Sequence, residues 1–590
     1  MKKTIGAGVV SVIGLLAFAD PIVSYEDDGR TLVVTVARGG NETLSSDLVK
    51  ILNENTVTNF CKRGEGTLTI ANDTTGYTGH FRIENGILRS RPLSNQNETL
   101  GKKGLEGDGC GSVHVEPGAT LAMYTRDYAD LTTTKTVYFG GSGYQGMGAL
   151  TVLANEIGGS RITAMFGTEM IMTSDALVYN DNSSFYVGFL GGGTLDMNSH
   201  TLTFGGTGGG CVITCGNNGD TGLANRIGDI VVSAPYLNIS QYFQWFCSDA
   251  NYADHTFTVA ENAQVRFNNY TYGPKGHLVM RQGSSIQLNN CDRASNNPKD
   301  KNNFTSRHLW DGDVNLDTSD RISIVAAGDN PYYMQFGGPI RGGGFNVGKN
   351  VRLFLRREQT TGVLANTFTN GIVVADGGEL AINWQTMIPK DGGDVVLTNA
   401  AFSVWNGRTY DLPPFRCHGD CLFYCKMGNP NDPGTKDHRA YFPTLQFFSN
   451  SSGAFSTNVV VSALIGLPRI LPYPATTSPA TVRPDTVSTG PEQFLIDKTW
   501  DIDVADVVAG DKFLFDGELA FSSGVTINVR GTTPARGPVK RFKIADTGRI
   551  TFKGAKTVNV ESERWSLEEG EDGRSLYLTY DPPGFTLLLR

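Results

Sequence analysis

Along this chain apolar residues come in short runs that alternate with polar ones, and Gly, Asn, Asp or Ser interrupts the runs roughly every five to ten positions. A period of two places successive side chains on opposite faces of an extended backbone. Thr67-Leu68-Thr69-Ile70, Phe81-Arg82-Ile83, Thr201-Leu202-Thr203-Phe204, Gln264-Val265-Arg266-Phe267 and Glu379-Leu380-Ala381-Ile382 all follow it. The three- and four-residue spacing that marks an amphipathic helix is scarce. The pattern predicts an all-β protein of short strands separated by turns.

Two stretches far apart share one plan. Residues 64–89 read GEGTLTIANDTTGYTGHFRIENGILR and residues 348–382 read GKNVRLFLRREQTTGVLANTFTNGIVVADGGELAI. Each has a strand, a polar turn, an aromatic element flanked by threonine, a second strand, a glycine turn and a third strand. Looser echoes occur at Gly193-Thr194-Leu195-Asp196-Met197-Asn198, with His200-Thr201-Leu202-Thr203, and at Gly148-Ala149-Leu150-Thr151-Val152. The motif resembles the autotransporter-associated β-strand repeat of bacterial surface passenger proteins. That resemblance implies a right-handed parallel β-helix, a solenoid in which each coil packs on its neighbours, secreted or displayed at the cell surface.

The expected organisation is a solenoid over 20–466, a Pro/Thr/Ser-rich linker over 467–491 and a small C-terminal β module or cap over 492–590. Asp572-Gly573, between Trp565-Ser566-Leu567 and Leu576-Tyr577-Leu578, predicts a closing hairpin. The roughly 100 residues after the linker are too few for the many amphipathic strands of an outer-membrane barrel, so export through a barrel of its own is not expected. At the N-terminus Met1-Lys2-Lys3, an apolar run from Ile5 to Leu16 and Ala17-Phe18-Ala19 form the three-part pattern of a signal peptide, 1–19. No later run is apolar enough for a spanning helix.

Composition sharpens the picture. Among 590 residues there are 72 glycines, and charged residues are only 18%, a turn-rich profile. A formal charge of −9 without a basic stripe argues against nucleic acid as a partner. Polysaccharide or surface proteins fit better, and self-association of the solenoid is admitted.

Candidate chemistry is thin. Gly141-Ser142-Gly143-Tyr144-Gln145-Gly146 spells a dinucleotide fingerprint, and Gly343 to Asn350 (GGFNVGKN) comes near a phosphate loop. Both need a helix N-terminus to receive phosphate, and neither lies in a βαβ context, so both read as corners between coils. Asp311, Asp313, Asn315 and Asp317 would share one face of a strand, where oxygen ligands could take calcium; a solvated outer face is the preferred reading. No cofactor is expected, with calcium at these carboxylates as the alternative.

Nine cysteines in an exported chain permit disulfides but leave at least one thiol over. Cys417, Cys421 and Cys425, beside His418, are expected to staple a loop near 411–440, with metal binding or free thiols as the alternatives. Cys211 and Cys215 are a second candidate pair. No hydrolase motif is present, the histidines read as packed or surface imidazoles, and no catalytic residue is expected. The leading reading is a secreted or cell-surface structural or adhesive β-helix that binds glycans or proteins. The competing reading is a carbohydrate-active β-helix enzyme, whose carboxylates would assemble from successive coils and leave no linear signature.

Overall fold

The computed structural model describes residues 20–91, 100–101, 111–123, 135–152, 162–165, 169–181, 185–189, 194–208, 210–213, 227–239, 254–268, 276–289, 308–328, 332–356, 366–382, 387–404, 412–425, 439–472, 491–531, 539–561 and 564–582. The expected signal peptide, Cys215 and most of the Pro-rich stretch lie outside them. The chain divides into two compact units, Met1–Cys211 and Val212–Arg590. Each is built almost wholly of strands that pair in parallel with the strands of the next coil, which makes the fold a parallel β-helix.

In the first unit one stack runs Thr31–Thr35, Asn59–Arg63, His80–Ile83, Ser112–Val115, Thr136–Gly141 and Glu169–Asn180. The same coils contribute a second stack, Asn41–Thr43, Thr67–Ile70, Gly86–Ser90, Ala119–Met123 and Leu150–Val152. Parallel neighbours cannot be joined by a tight hairpin, and here the second stack serves as the return path. In the second unit, Val395–Thr398, Phe415–His418, Arg439–Phe447, Asn458–Ile465 and Gln493–Asp503 stack in the same way. Residues 493–503 thus join the ladder formed before the Pro-rich stretch, within which Arg469–Pro472 is itself a strand.

Antiparallel pairing occurs near the N-terminus of the first unit and near the C-terminus of the second. Ile22–Glu26 folds back on Thr31–Thr35. Lys540–Phe552 and Trp565–Glu569 both pair antiparallel with Ser575–Tyr580. The hairpin expected at Asp572-Gly573 is formed: Gly573 takes φ +61°, and Asp572 Oδ1 accepts the backbone N–H of Arg574 at 2.9 Å and of Ser575 at 3.0 Å.

The inward positions form continuous apolar columns. In the second unit Phe402, Phe415, Phe423, Phe442, Phe455, Phe494 and Phe513 fill the interior across neighbouring coils, the Phe402–Phe415 centroids 4.8 Å apart and those of Phe423–Phe455 4.7 Å apart. Such contacts add about 0.5–1.5 kcal/mol each to simple burial. The aromatic elements of the two related stretches do the same work: Tyr77 and Phe368 are both buried, Tyr77 edge-on to Phe81 at 5.1 Å and Phe368 edge-on to Phe345 at 6.0 Å.

Corners are made by residues that tolerate left-handed backbone. Asn262, Asn350, Asn399 and Asn450 all take φ between +44° and +60°. Gly66 answers a different need, since a Cβ there would lie 2.3 Å from Ala37 O. Lys62, fully buried, points its ammonium into such a corner and donates to the carbonyls of Gly64, Gly66 (2.6 Å) and Asn85 (2.7 Å). Only two α-helices are described. Ser46–Asn53 is capped by the Ser45 hydroxyl and buries Val49 and Leu52. Val504–Ala509 runs from an Asp503 cap to left-handed Gly510.

Candidate functional site on the outer face of the first unit

The parallel register of the first stack also aligns the outward side chains. One column carries Asn59, His80, Ser112, Thr136 and Glu169; the next carries Arg82, His114 and Tyr138; a third carries Arg63, Glu84 and Glu116. Because the two side-chain positions that face outward along a strand lie two residues apart, adjacent columns sit side by side on one flat sheet.

At the centre of that sheet Ser112 lies between two imidazoles. The Ser112 backbone N–H donates to His80 Nδ1 at 3.2 Å, which assigns the lone pair to that nitrogen and the ring proton to Nε2. The Ser112 hydroxyl therefore donates to the same Nδ1 at 2.8 Å and accepts from His114 Nε2–H at 2.7 Å. His114 stacks on Tyr138, ring centroids 4.6 Å apart and planes within 11°. Desolvation, helped by Lys135, pushes the His80 pKa down; desolvation, helped by His80, does the same to His114. Both rings are thus neutral at pH 7 and present hydrogen-bonding edges rather than charge. Ser112 itself is 7% exposed, and its hydroxyl is spent on organising the two rings.

Ion pairs flank this core. Arg63 bonds Glu26 and Glu84, each at 2.6 Å, and Arg82 bonds Glu116 at 2.9 Å. The Arg63 hydrogen bond holds the Glu84 carboxyl below the usual carboxylate range. The same carboxylate, together with burial, raises the Cys61 thiol to about 12, so Cys61 is not a nucleophile at neutral pH. Thr136 donates to Glu169 at 2.6 Å.

One concavity adjoins the corners of these coils. A cleft of about 380 Å³ is lined by Arg38, Asn41, Glu65, Thr67, Arg89, Tyr144 and Gln145 and floored by the glycines at 39, 40 and 66. Glu65 lies 3.6 Å from Arg38 and accepts from Tyr144 Oη at 3.4 Å. Gln145 donates to the same Tyr144 oxygen at 3.0 Å from a left-handed backbone of φ +52°.

This cleft uses part of the sequence that mimics a dinucleotide fingerprint. Gly141, Gly143 and Gly146 have φ of +81°, +76° and +78°. They form a corner with one turn of 3-10 helix, Tyr144–Gly146, and the chain goes on into the strand Leu150–Val152. No α-helix N-terminus follows to receive a pyrophosphate. The other near miss is not the expected corner over most of its length: residues 343–347 lie in the strand Ile340–Val347, and only Gly348 to left-handed Asn350 turn before the strand Val351–Leu355.

The remaining predicted residues lie in the second unit or stand apart. Val314 and Leu316 are buried while Asn315 and Asp317 face solvent, the alternation expected of a strand, but the strand begins at Val314, so Asp311 and Asp313 precede it. Asp317 pairs with Arg281 at 2.6 Å, and Asp313 lies 3.8 Å from Arg341 and 4.0 Å from His277 Nδ1. A calcium ion there would have to displace two guanidinium groups. Among the described residues no group of three or more His, Cys, Asp or Glu side chains is gathered to hold a metal ion.

Cys417 and Cys421, expected in a loop, lie instead in the strands Phe415–His418 and Asp420–Cys425. Both are buried and stand as free thiols. Cys421 Sγ lies 3.6 Å from His418 O and 3.7 Å from Leu397 O. The reason is the alternation Phe415, Cys417, which turns the sulfur inward with the ring. Burial pushes the Cys417 thiol well up. Cys211 is a free buried thiol too, and burial raises its pKa in the same direction.

The outer columns were not visible in the sequence, where His80 and Ser112 are 32 residues apart and Thr136 and Glu169 are 33 apart. Coil lengths vary enough to hide the register. Among the described residues no helix is long and apolar enough to cross a membrane. No family model matches the chain, and no curated protein matches it.

Proposed function

We propose that this chain is an exported, surface-displayed or secreted β-helix of the autotransporter-repeat kind that binds glycans through the flat outer face of its first unit. The observation that carries this reading is the central column pair, His80–Ser112 beside His114–Tyr138. It combines an aromatic stack with neutral, oriented donors and acceptors on an open surface. Sugars present the matching features, apolar ring faces and hydroxyls that both donate and accept. The ion pairs around the centre fix their own side chains against one another and so keep the surface flat.

Incubation with a panel of acidic and neutral polysaccharides, following both retention and product release, tests this. Retention of at least one polymer is expected, weakened about tenfold in the double variant H114A/Y138A by loss of the stacking surface. A protein that retains no polymer would sink the proposal.

A second reading, a carbohydrate-active enzyme, is favoured by one observation: Glu65 stands beside Arg38 in the concave cleft. An acid next to a guanidinium in a groove is the kind of pair that proton transfer at a sugar requires. Release of shortened products in the same experiment, abolished in Glu65→Gln, would decide for it.

A further inference from the structure

We infer that the cleft lined by Arg38, Asn41, Glu65, Arg89, Tyr144 and Gln145 is a subsite for a carboxylated sugar, a uronic-acid unit of a polysaccharide. This rests on the glycan-binding reading and specifies it. The volume, about 380 Å³, falls in the range of small-ligand sites.

The chemistry of the lining selects the ligand class. Guanidinium groups only donate hydrogen bonds and favour carboxylates, which they grip in a bidentate manner. An ionised carboxylate such as Glu65 only accepts, so it requires a partner with donors. A ligand satisfying both must carry an anionic acceptor and hydroxyl donors on one small rigid frame. A uronic acid does. An acidic peptide side chain brings the carboxylate without the hydroxyls, and a neutral sugar brings the hydroxyls without the charge.

The local backbone fits such a use. Gln145 is held at φ +52°, a conformation that side chains other than Gly, Asn or Asp seldom adopt. It sits between Gly143 and Gly146, and the turn aims its amide at Tyr144 Oη, 3.0 Å away, on the cleft wall. Strain kept at a polar lining residue, in a turn bounded by Gly143 and Gly146, is the pattern seen where a side chain is positioned for recognition.

The test uses the full chain, with an oligogalacturonate as the probe, its methyl ester as the uncharged twin and poly-L-glutamate as the peptide control. The free acid is expected to bind about tenfold or more tightly than the ester. Arg38→Ala, whose side chain is 76% exposed and whose loss the fold tolerates, should erase that preference. Gln145→Gly, which relieves the left-handed backbone while removing the amide, should weaken binding of acid and ester alike. H114A/Y138A should lower overall retention and leave the acid preference intact.

Equal binding of acid and ester, an unchanged preference in Arg38→Ala, or poly-L-glutamate binding as tightly as the uronate would each overturn the inference. In those cases retention of the polysaccharides still supports the broader reading. Failure to retain any saccharide removes both.

Discussion

In the second unit the side chains of Arg352 and Glu379 are only 5% and 0% exposed, and Nε meets Oε2 at 2.6 Å. Ser403 donates to the other carboxylate oxygen, and the guanidinium lies 4.7 Å from the centre of the Tyr333 ring. With charge centres about 4 Å apart and an effective dielectric of about 20, the attraction is about 4 kcal/mol. Taking both charges out of water offsets most of it, so the pair contributes little net stability while intact. Removing one partner is different. Glu379→Gln removes the carboxylate that the buried guanidinium meets at 2.6 Å, at an expected cost of about 3–5 kcal/mol.

A chain of two units does not unfold in one step, so the local opening is the quantity to measure. Native-state hydrogen exchange of the amides in Val351–Leu355 and Glu379–Ile382 should accelerate between about a hundredfold and several-thousandfold in Glu379→Gln, since each 1.4 kcal/mol is a factor of ten. The double variant R352M/E379L, which replaces both charges by apolar groups of similar size, should return to within about 1–2 kcal/mol of the parent. Unchanged exchange in Glu379→Gln, or a double variant as labile as the single one, would refute the reasoning that the charges matter to each other and not to the fold.

Three further outcomes follow from features of the core. His308 is fully buried and its pKa is pushed down to about 3 by burial; the unfolded chain takes up the proton near 6.5, so the stability is complete above pH 6.5 and is lost as pH falls toward 3. Between pH 6.5 and 5 the loss is about 2 kcal/mol, and His308→Leu should flatten that part of a denaturant-midpoint series against pH. Lys62→Met should destabilise the first unit by about 2–4 kcal/mol, because one buried and two part-buried carbonyls lose their donor; exchange at Gly64, Gly66 and Gly86 reports it. Gly66→Ala should fail to reach the native far-UV spectrum or melt well below the parent, since its Cβ would meet Ala37 O at 2.3 Å. A normal melt for that variant would show that the corner can relax.

What could be seen in the sequence was whatever repeats within one coil. Alternation identified strands such as Gln264–Asn268 and Glu379–Ile382, and turn chemistry identified the hairpin at Gly573 and the corner at Gly141 to Gly146. What depended on stacking one coil on another stayed hidden. His80, Ser112 and His114 meet only because two strands are in register across a turn of irregular length.

Two buried groups did leave a signal. Lys62 follows Phe60 at the strand period, so an inward lysine could have been inferred. Cys417 follows Phe415 in the same way, and the density of cysteines around it drew attention to loop chemistry instead.

The outer columns have one more consequence. Their members repeat at the inter-strand distance of a β-sheet, about 4.8 Å, so the face acts as a ruler with fixed graduations. Under the proposed function, a polymer whose units recur at a commensurate interval would lay several of them on successive marks at once, each later contact being made at the high local concentration created by the first. A single unit gains none of this. A face that binds glycans as proposed would therefore discriminate by the periodicity of a chain as well as by the identity of its parts, and one more coil would extend the scale.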